Sequence, residues 1–172
     1  NSTSGLLEYG ITLSEISIEN TVIEYPMKTG DSFTARIKLN VNNNQNNTVP
    51  FNPFFTFDID PTKISQVTDI TIPNNWVHNT DGNTHYYEYN GSNNDGNNRI
   101  LNKGEEIIFD IKFDLNSSYN VNPGDIYQNT SSVKWTSQKN IDRNTTINTT
   151  NENIVRLFNL DTTNDKLNDY IN

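Results

Sequence analysis

Ile107-Ile108-Phe109-Asp110-Ile111-Lys112-Phe113-Asp114-Leu115 is the stretch that decides the fold. Ile107, Phe109, Ile111, Phe113 and Leu115 are apolar, and Asp110, Lys112 and Asp114 stand between them. Successive side chains of a strand point to opposite faces, so this period of two gives one dry face and one wet face. Phe33, Ala35, Ile37, Leu39 and Val41 repeat the pattern, interleaved with Thr34, Arg36, Lys38 and Asn40. Strands with one dry face need a second layer, and a pair of antiparallel sheets packed face to face supplies it.

The choice of apolar residues agrees. Ile occurs 18 times in the 172 residues and Ala once, as Ala35. β-branched and aromatic side chains fit a pleated surface, whereas Ala is the strongest helix former. Leu, Ile, Val and Phe make 43 of 172 residues, enough for one folded domain with a thin core. The expectation is an all-β, two-sheet antiparallel β-sandwich, immunoglobulin-like or jelly-roll-like, of roughly eight or nine strands. Weaker strand patterns lie at Phe55, Phe57 and Ile59 (closed by Pro61), and over 67–72, 85–89, 126–135 and 154–160. Loops rich in Asn, Gly, Ser and Thr are expected over 42–47, 79–84, 91–98 and 137–153.

Near the N-terminus Leu7, Tyr9, Ile11 and Leu13 alternate, and Ile16 and Ile18 continue in the opposite phase. A bend or bulge near Ser14 accounts for that break. The chain divides into an extended N-terminal arm or strand (1–15), a sandwich (16–160) and a C-terminal tail (161–172). It opens on Asn1 rather than Met, which reads as a processed product with both ends docked.

Several function classes are disfavoured. The net charge is −9 with no basic cluster, so nucleic acid is a poor partner. No apolar run is long enough to span a membrane as a helix. Cysteine is absent, which removes disulfides, thiolate catalysis and cysteine–zinc sites.

Asn is the outlier at 32 residues; genome composition is as good a source of that excess as selection for turns. Asn-x-Ser/Thr occurs at Asn1, Asn46, Asn90, Asn116, Asn129, Asn144 and Asn148, all candidates for N-glycosylation. A chain this rich in Asn, Ser and Thr contains several such triplets by chance. Asn46, Asn90, Asn144 and Asn148 fall in expected loops, while Asn129 opens a strand.

Three stretches together resemble the β-sandwich repeat domains of archaeal and bacterial surface proteins, of the adhesin and S-layer-associated type. Thr29-Gly30-Asp31 leads into the strand from Phe33 to Val41, and Leu101-Asn102-Lys103-Gly104-Glu105 leads into that from Ile107 to Leu115. Gly124-Asp125 precedes Asn129-Thr130 and the strand from Ser132 to Trp135. The resemblance covers 29–135 and implies an immunoglobulin-like sandwich on the outside of a cell, without catalysis. Some such sandwiches carry a Lys–Asn isopeptide bond, which by analogy would use Asn129. The donor would have to stand on the first core strand, yet Lys28 lies in a turn and Lys38 alternates toward solvent. A satisfied turn Asn is the default reading there.

Other chemistry finds thin support. Asp81-Gly82-Asn83 with Glu88 has partial calcium-loop spacing, but Val77 occupies the first ligand position, and Asn93-Asn94-Asp95-Gly96 ends on Asn102. No cofactor is expected; a structural Ca²⁺ is the one metal candidate, and turn chemistry is the better reading of both segments. Asp58 and Asp60 read as one solvated strand face. His78 and His85 flank a turn without a partner pattern, and no nucleophile elbow, phosphate loop or zinc spacing occurs. Glu105 and Glu106 are adjacent and point apart. Trp76, Trp135, Tyr86, Tyr87 and Tyr89 are the candidates for stacking on sugar, with core packing the alternative.

The expected function is that of a secreted structural subunit of an extracellular, pilus-like or fibre-like filament. Leu7, Tyr9, Ile11 and Leu13 would be donated as a strand to a neighbouring copy (donor-strand complementation), giving a homopolymer. The alternative is an adhesin or carbohydrate-binding module of a cell-surface or S-layer protein, with glycans or other surface proteins as partners. An enzyme is not expected.

Overall fold

The computed structural model of the chain describes residues 15–26, 30–42, 50–91, 94–95, 98–99, 101–119, 126–136 and 150–161; over 94–95, 98–99, 126–129, 136 and 150–161 the description is of the backbone. Every regular element among them is a strand: β1 (Ile16–Glu24), β2 (Ser32–Val41), β3 (Phe51–Asp58), β4 (Ile64–Thr71), β5 (Trp76–Asp81), β6 (Thr84–Tyr89), β7 (Asn94–Asp95), β8 (Asn98–Arg99), β9 (Glu106–Leu115), β10 (Ile126–Thr136) and β11 (Thr150–Asp161).

The two strands recognised by alternation pair with each other. β2 and β9 run antiparallel in unbroken register from Ser32↔Asp114 to Asn40↔Glu106. Both are launched by the expected glycine turns, where Gly30 and Gly104 take φ of +81° and +82°, a region that favours a residue without Cβ. The neighbouring acids close these turns. Asp31 Oδ1 accepts from Ser32 N at 2.9 Å, and Glu105 Oε1 accepts from Asn102 N at 3.3 Å. With β1 and β4 outside them, β2 and β9 form a four-stranded antiparallel sheet in the order β1-β2-β9-β4.

The second sheet has five strands in the order β11-β10-β3-β6-β5, and β7 with β8 makes a separate two-stranded ribbon. β3 begins earlier than its clean alternation, at Phe51. Asn52 (φ +52°) and Pro53 stand where the register against β10 shifts, between Lys134↔Phe54 and Thr136↔Phe51. Pairing with β6 starts only at Phe54, so the missing proline N–H costs no rung there.

Seven of these strands reproduce the immunoglobulin order, β1-β2-β9-β4 standing for strands A-B-E-D and β3-β10-β11 for C-F-G. The β5–β6 hairpin is extra. It extends the C-side edge and enters the chain between the D- and E-equivalents. The expected all-β sandwich is therefore the fold, with nine strands in its two sheets.

The inward residues of β2 and β9 meet an aromatic layer from the other sheet. Phe109 lies 5.7 Å from Phe55, 5.2 Å edge-on from Trp76 and 5.4 Å edge-on from Tyr87 (ring centroids), so one side chain ties three strands of the facing sheet. Phe33 stacks on Phe113 at 5.0 Å, and the single alanine, Ala35, is fully buried beside them.

On the outer face of the first sheet Arg36 donates through Nε and Nη2 to Asp110 Oδ1 and Oδ2 at 2.9 and 3.0 Å, across the β2–β9 rung. Lys38 lies on that face too, 3.6 Å from Glu106, as its alternation predicted.

The 1–15 arm, apart from Glu15, and the 161–172 tail, apart from Asp161, lie outside the described residues, as do Leu7, Tyr9, Ile11, Leu13 and the break near Ser14. A Phe109→Ala substitution is expected to lower the unfolding free energy by about 3–5 kcal/mol. Urea denaturation followed by tryptophan fluorescence measures it.

Candidate functional site at the open edge

The sandwich has two sides. On one, the outer strands β1 and β11 lie against each other. On the other, the outer strands are β4 of the first sheet and β5 of the second. This second side carries a cluster that the sequence did not announce.

Asp69, on β4, faces inward between the layers, and so do His78 on β5 and His85 and Tyr87 on β6. His78 Nδ1 lies 2.7 Å from Asp69 Oδ2, and His78 Nε2 lies 2.7 Å from His85 Nδ1. Tyr87 donates its hydroxyl to Asp69 Oδ1 at 2.7 Å. The rings are stacked as well: His78 on Tyr87 at 4.1 Å, and His85 on Phe57 at 5.0 Å with only 7° between planes. One carboxylate thus joins the two sheets at their open edge.

The hairpin explains the histidine pair. Asp81 pairs with Thr84 around the two-residue loop Gly82-Asn83, which makes His78 directly opposite Tyr87 and diagonal to His85 on one face. That diagonal follows from the turn alone, and was the available signal. The expected loop over 79–84 is instead mostly strand, and β5 had no apolar alternation to reveal it.

The electrostatics follow from burial and these partners. Burial opposes the charge on Asp69, but the hydrogen bonds from His78 and Tyr87 outweigh it, and its carboxyl is held below the usual range. Burial, then the neighbouring His78, pushes His85 below an ordinary histidine, against the pull of Asp69 and Asp58. Burial and the Asp69 charge raise the Tyr87 hydroxyl far above an ordinary phenol. His85 is 8% exposed, and a hydrogen bond across the 2.7 Å His78–His85 contact needs one N–H between the facing nitrogens. A second proton would set two N–H groups against each other.

Trp76 (6% exposed), Trp135 and Tyr87 are core, so they offer no face to a sugar; Tyr86 and Tyr89 are half-buried, with Tyr89 packed on Trp76. Asp81 and Glu88 lie along the hairpin ladder, Glu88 opposite Val77, rather than around one loop. Asp58 ends β3, whereas Asp60 sits beyond it in a turn, accepting from Thr62 N and Oγ1 at 2.9 and 2.6 Å. The shared strand face expected for the two does not form, because the strand stops first. Among the described residues no group of three or more His, Cys, Asp or Glu is arranged to hold a metal.

Of the glycosylation candidates, Asn90 is exposed just past β6, its N–H donating to Asn75 O at 2.6 Å. The following Gly91 is buried so close under the Tyr89 ring that a Cβ would overlap it. Asn116 is held in an Asx turn. Its Oδ1 accepts from Ser118 N and Oγ at 3.1 and 2.9 Å, and its Nδ2 donates to Pro61 O at 3.1 Å. Asn129 pairs with Phe158 within β10, its side chain outside the description. Asn1, Asn46, Asn144 and Asn148 lie outside the described residues, as does Lys28.

No family model matches the chain, and no curated protein sequence matches it. Solved structures do. The major pilin subunit BcpA of Bacillus cereus aligns with a TM-score of 0.52 at 13% identity, over 82% of this chain and 38% of that one. The full-length major pilin SpaD of Corynebacterium diphtheriae gives 0.48 at 17%, over 82% and 34%. The N-terminal domain of a Streptococcus gordonii adhesin gives 0.43 at 14%, over 84% and 32%. The chain thus spans well under half the length of each. At such identities the likeness to BcpA is one of fold alone, a two-sheet β-sandwich, and function must come from sites.

The cluster makes stability pH-dependent. Unfolded His85 takes up its proton near pH 6.5, while the folded, depressed His85 resists it. The unfolded state therefore binds more protons below that pH, and folding stability falls as pH falls. Between pH 7.5 and 5 the melting temperature is expected to drop, with a slope of at most about 1.4 kcal/mol per pH unit for one proton. A His85→Gln variant is expected to flatten that part of the curve in thermal melts across the range.

Proposed function

We propose that this chain is a structural subunit of an extracellular filament, joined to its neighbour by donation of the N-terminal segment as a β-strand. The observation that carries this reading is a surplus. The nine strands of the sandwich begin at Ile16 and already supply every position of the immunoglobulin order. Leu7, Tyr9, Ile11 and Leu13 therefore form one strand-patterned run beyond those the sandwich needs.

Two further points support it. The fold is shared with a protein described as a major pilin subunit. An all-β domain with an open edge is also the architecture to which an extended segment adds by main-chain pairing. Secretion, homopolymer formation and glycosylation at exposed sequons such as Asn90 belong to the same reading, as does the division into arm, sandwich and tail. The carbohydrate-binding alternative loses ground, because most of its aromatic candidates are interior.

Deleting residues 1–14 is expected to give a folded monomer on size-exclusion chromatography that forms no filaments by negative-stain electron microscopy. Filaments indistinguishable from those of the full chain would overturn the proposal.

A further inference from the structure

The outer strands differ in how they meet solvent. β1 and β11 lie against each other, and β1 is bulged at Ile23. β4 is bulged twice, with register shifts between Ile64 and Gln66 and between Asp69 and Thr71, which leaves only a short regular stretch. Bulges of this kind are how proteins spoil an edge for pairing. Among the described residues β5 has no such guard. Its register against β6 is continuous from Trp76↔Tyr89 to Asp81↔Thr84, and it contains neither proline nor lysine.

The hydrogen-bond parity of β5 can be fixed at both ends. Asn90 N donates to Asn75 O, which makes that rung a hydrogen-bonded pair. Asp81 and Thr84 close a two-residue hairpin loop, which sets the same parity. Asn75, Val77, Asn79 and Asp81 therefore turn their main chain toward β6, and His78 and Thr80 turn theirs outward. No backbone partner for either occurs among the described residues. The half-buried apolar side chains Val67 and Ile72 lie along the core on this open side, and Val77, at 41%, is one of its exposed apolar residues.

We infer that β5 is the acceptor edge, and that its occupant is the segment Leu7–Leu13 of a second copy, hydrogen-bonded to the main chain of His78 and Thr80. This rests on the arm-donation reading and adds where the arm goes. The segment suits the place. Leu7, Tyr9, Ile11 and Leu13 make one apolar row that extends the layer between the sheets past His78 toward Val67. Glu8 is the only charged residue in 1–14, which matters between copies that each carry −9. The Asp69–His78 bond holds β5 in place against the other sheet, so the acceptor is preformed.

The test uses the full chain as a monomer at low concentration, mixed with excess synthetic peptide of residues 1–14. Peptide binding is read by fluorescence anisotropy, and amide hydrogen exchange by NMR. The expected result is binding, with exchange slowed at least about tenfold at the His78 and Thr80 amides, as two or three new main-chain bonds require. Exchange is expected to stay unchanged at Val67 and Asp69 of β4, whose main chain turns away from β9. A Thr80→Pro variant, which removes one outward donor without touching the β5–β6 rungs, is expected to bind the peptide about tenfold more weakly. The exchange measurement needs no substitution, so it decides even where that variant fails to fold. Peptide that binds while slowing amides of β4 or β1 overturns β5 as acceptor and leaves arm donation standing. Peptide that does not bind, with a chain that stays monomeric at every concentration, overturns arm donation itself.

Discussion

The β2–β9 ladder is the constraint on which the molecule depends. Nine consecutive rungs without a bulge place ten alternating side chains, Phe33 to Val41 and Ile107 to Leu115, in a single sheet of apolar surface. Because side chains alternate strictly along a strand, a slip of one residue in either strand would turn its whole apolar set to solvent. The register therefore has no close competitor. The Arg36–Asp110 fork on the opposite face marks the same register with a bond that only one alignment permits.

The second sheet is matched to that surface by aromatic rings rather than by aliphatic interdigitation. Phe55, Phe57, Tyr87, Trp76 and Trp135 are large and stiff, and they fill a layer that a chain with one alanine and little leucine cannot fill otherwise. The layer ends in polar groups at the β4–β5 side. There Asp69 is kept charged by two donors, and two histidines and a tyrosine take the place of apolar neighbours. A half-buried acid so partnered fixes the distance between the two outer strands. Nonpolar packing alone would leave that distance loose at a rim reached by water.

The parts legible in the sequence were those governed by local rules. Period-two alternation revealed β2 and β9, and glycine beside an acid revealed the turns that launch them; Gly30 and Gly104 do have positive φ. β5 was illegible because its inward residues, Trp76, His78 and Thr80, are mostly polar, so its alternation carries no hydropathy signal. The diagonal of His78 and His85 was within reach of hairpin arithmetic. The partnership with Asp69 was not, since it joins strands of opposite sheets and depends on how the layers stack. Asp58 and Asp60 show the same limit on a smaller scale, where the end of a strand separated residues that simple alternation had put together.

The spacing of the central ladder also sets the order of events when the chain folds. Arg36 and Asp110 are 74 residues apart, so the ladder forms only after a large loop closes, a step that is slow in sandwiches. The β5–β6 hairpin, turned by two residues, needs no such closure and forms on a timescale of about microseconds. An isolated hairpin is marginal in water, so its outer edge forms early but is fixed only when His78 meets Asp69 of the other sheet. A nascent or refolding chain therefore samples the edge that is regular and unguarded among the described residues while the core is still open. At high concentration such a species captures strands indiscriminately. Folding at low local concentration, or with a companion shielding that hairpin, is then a condition for orderly production of the protein.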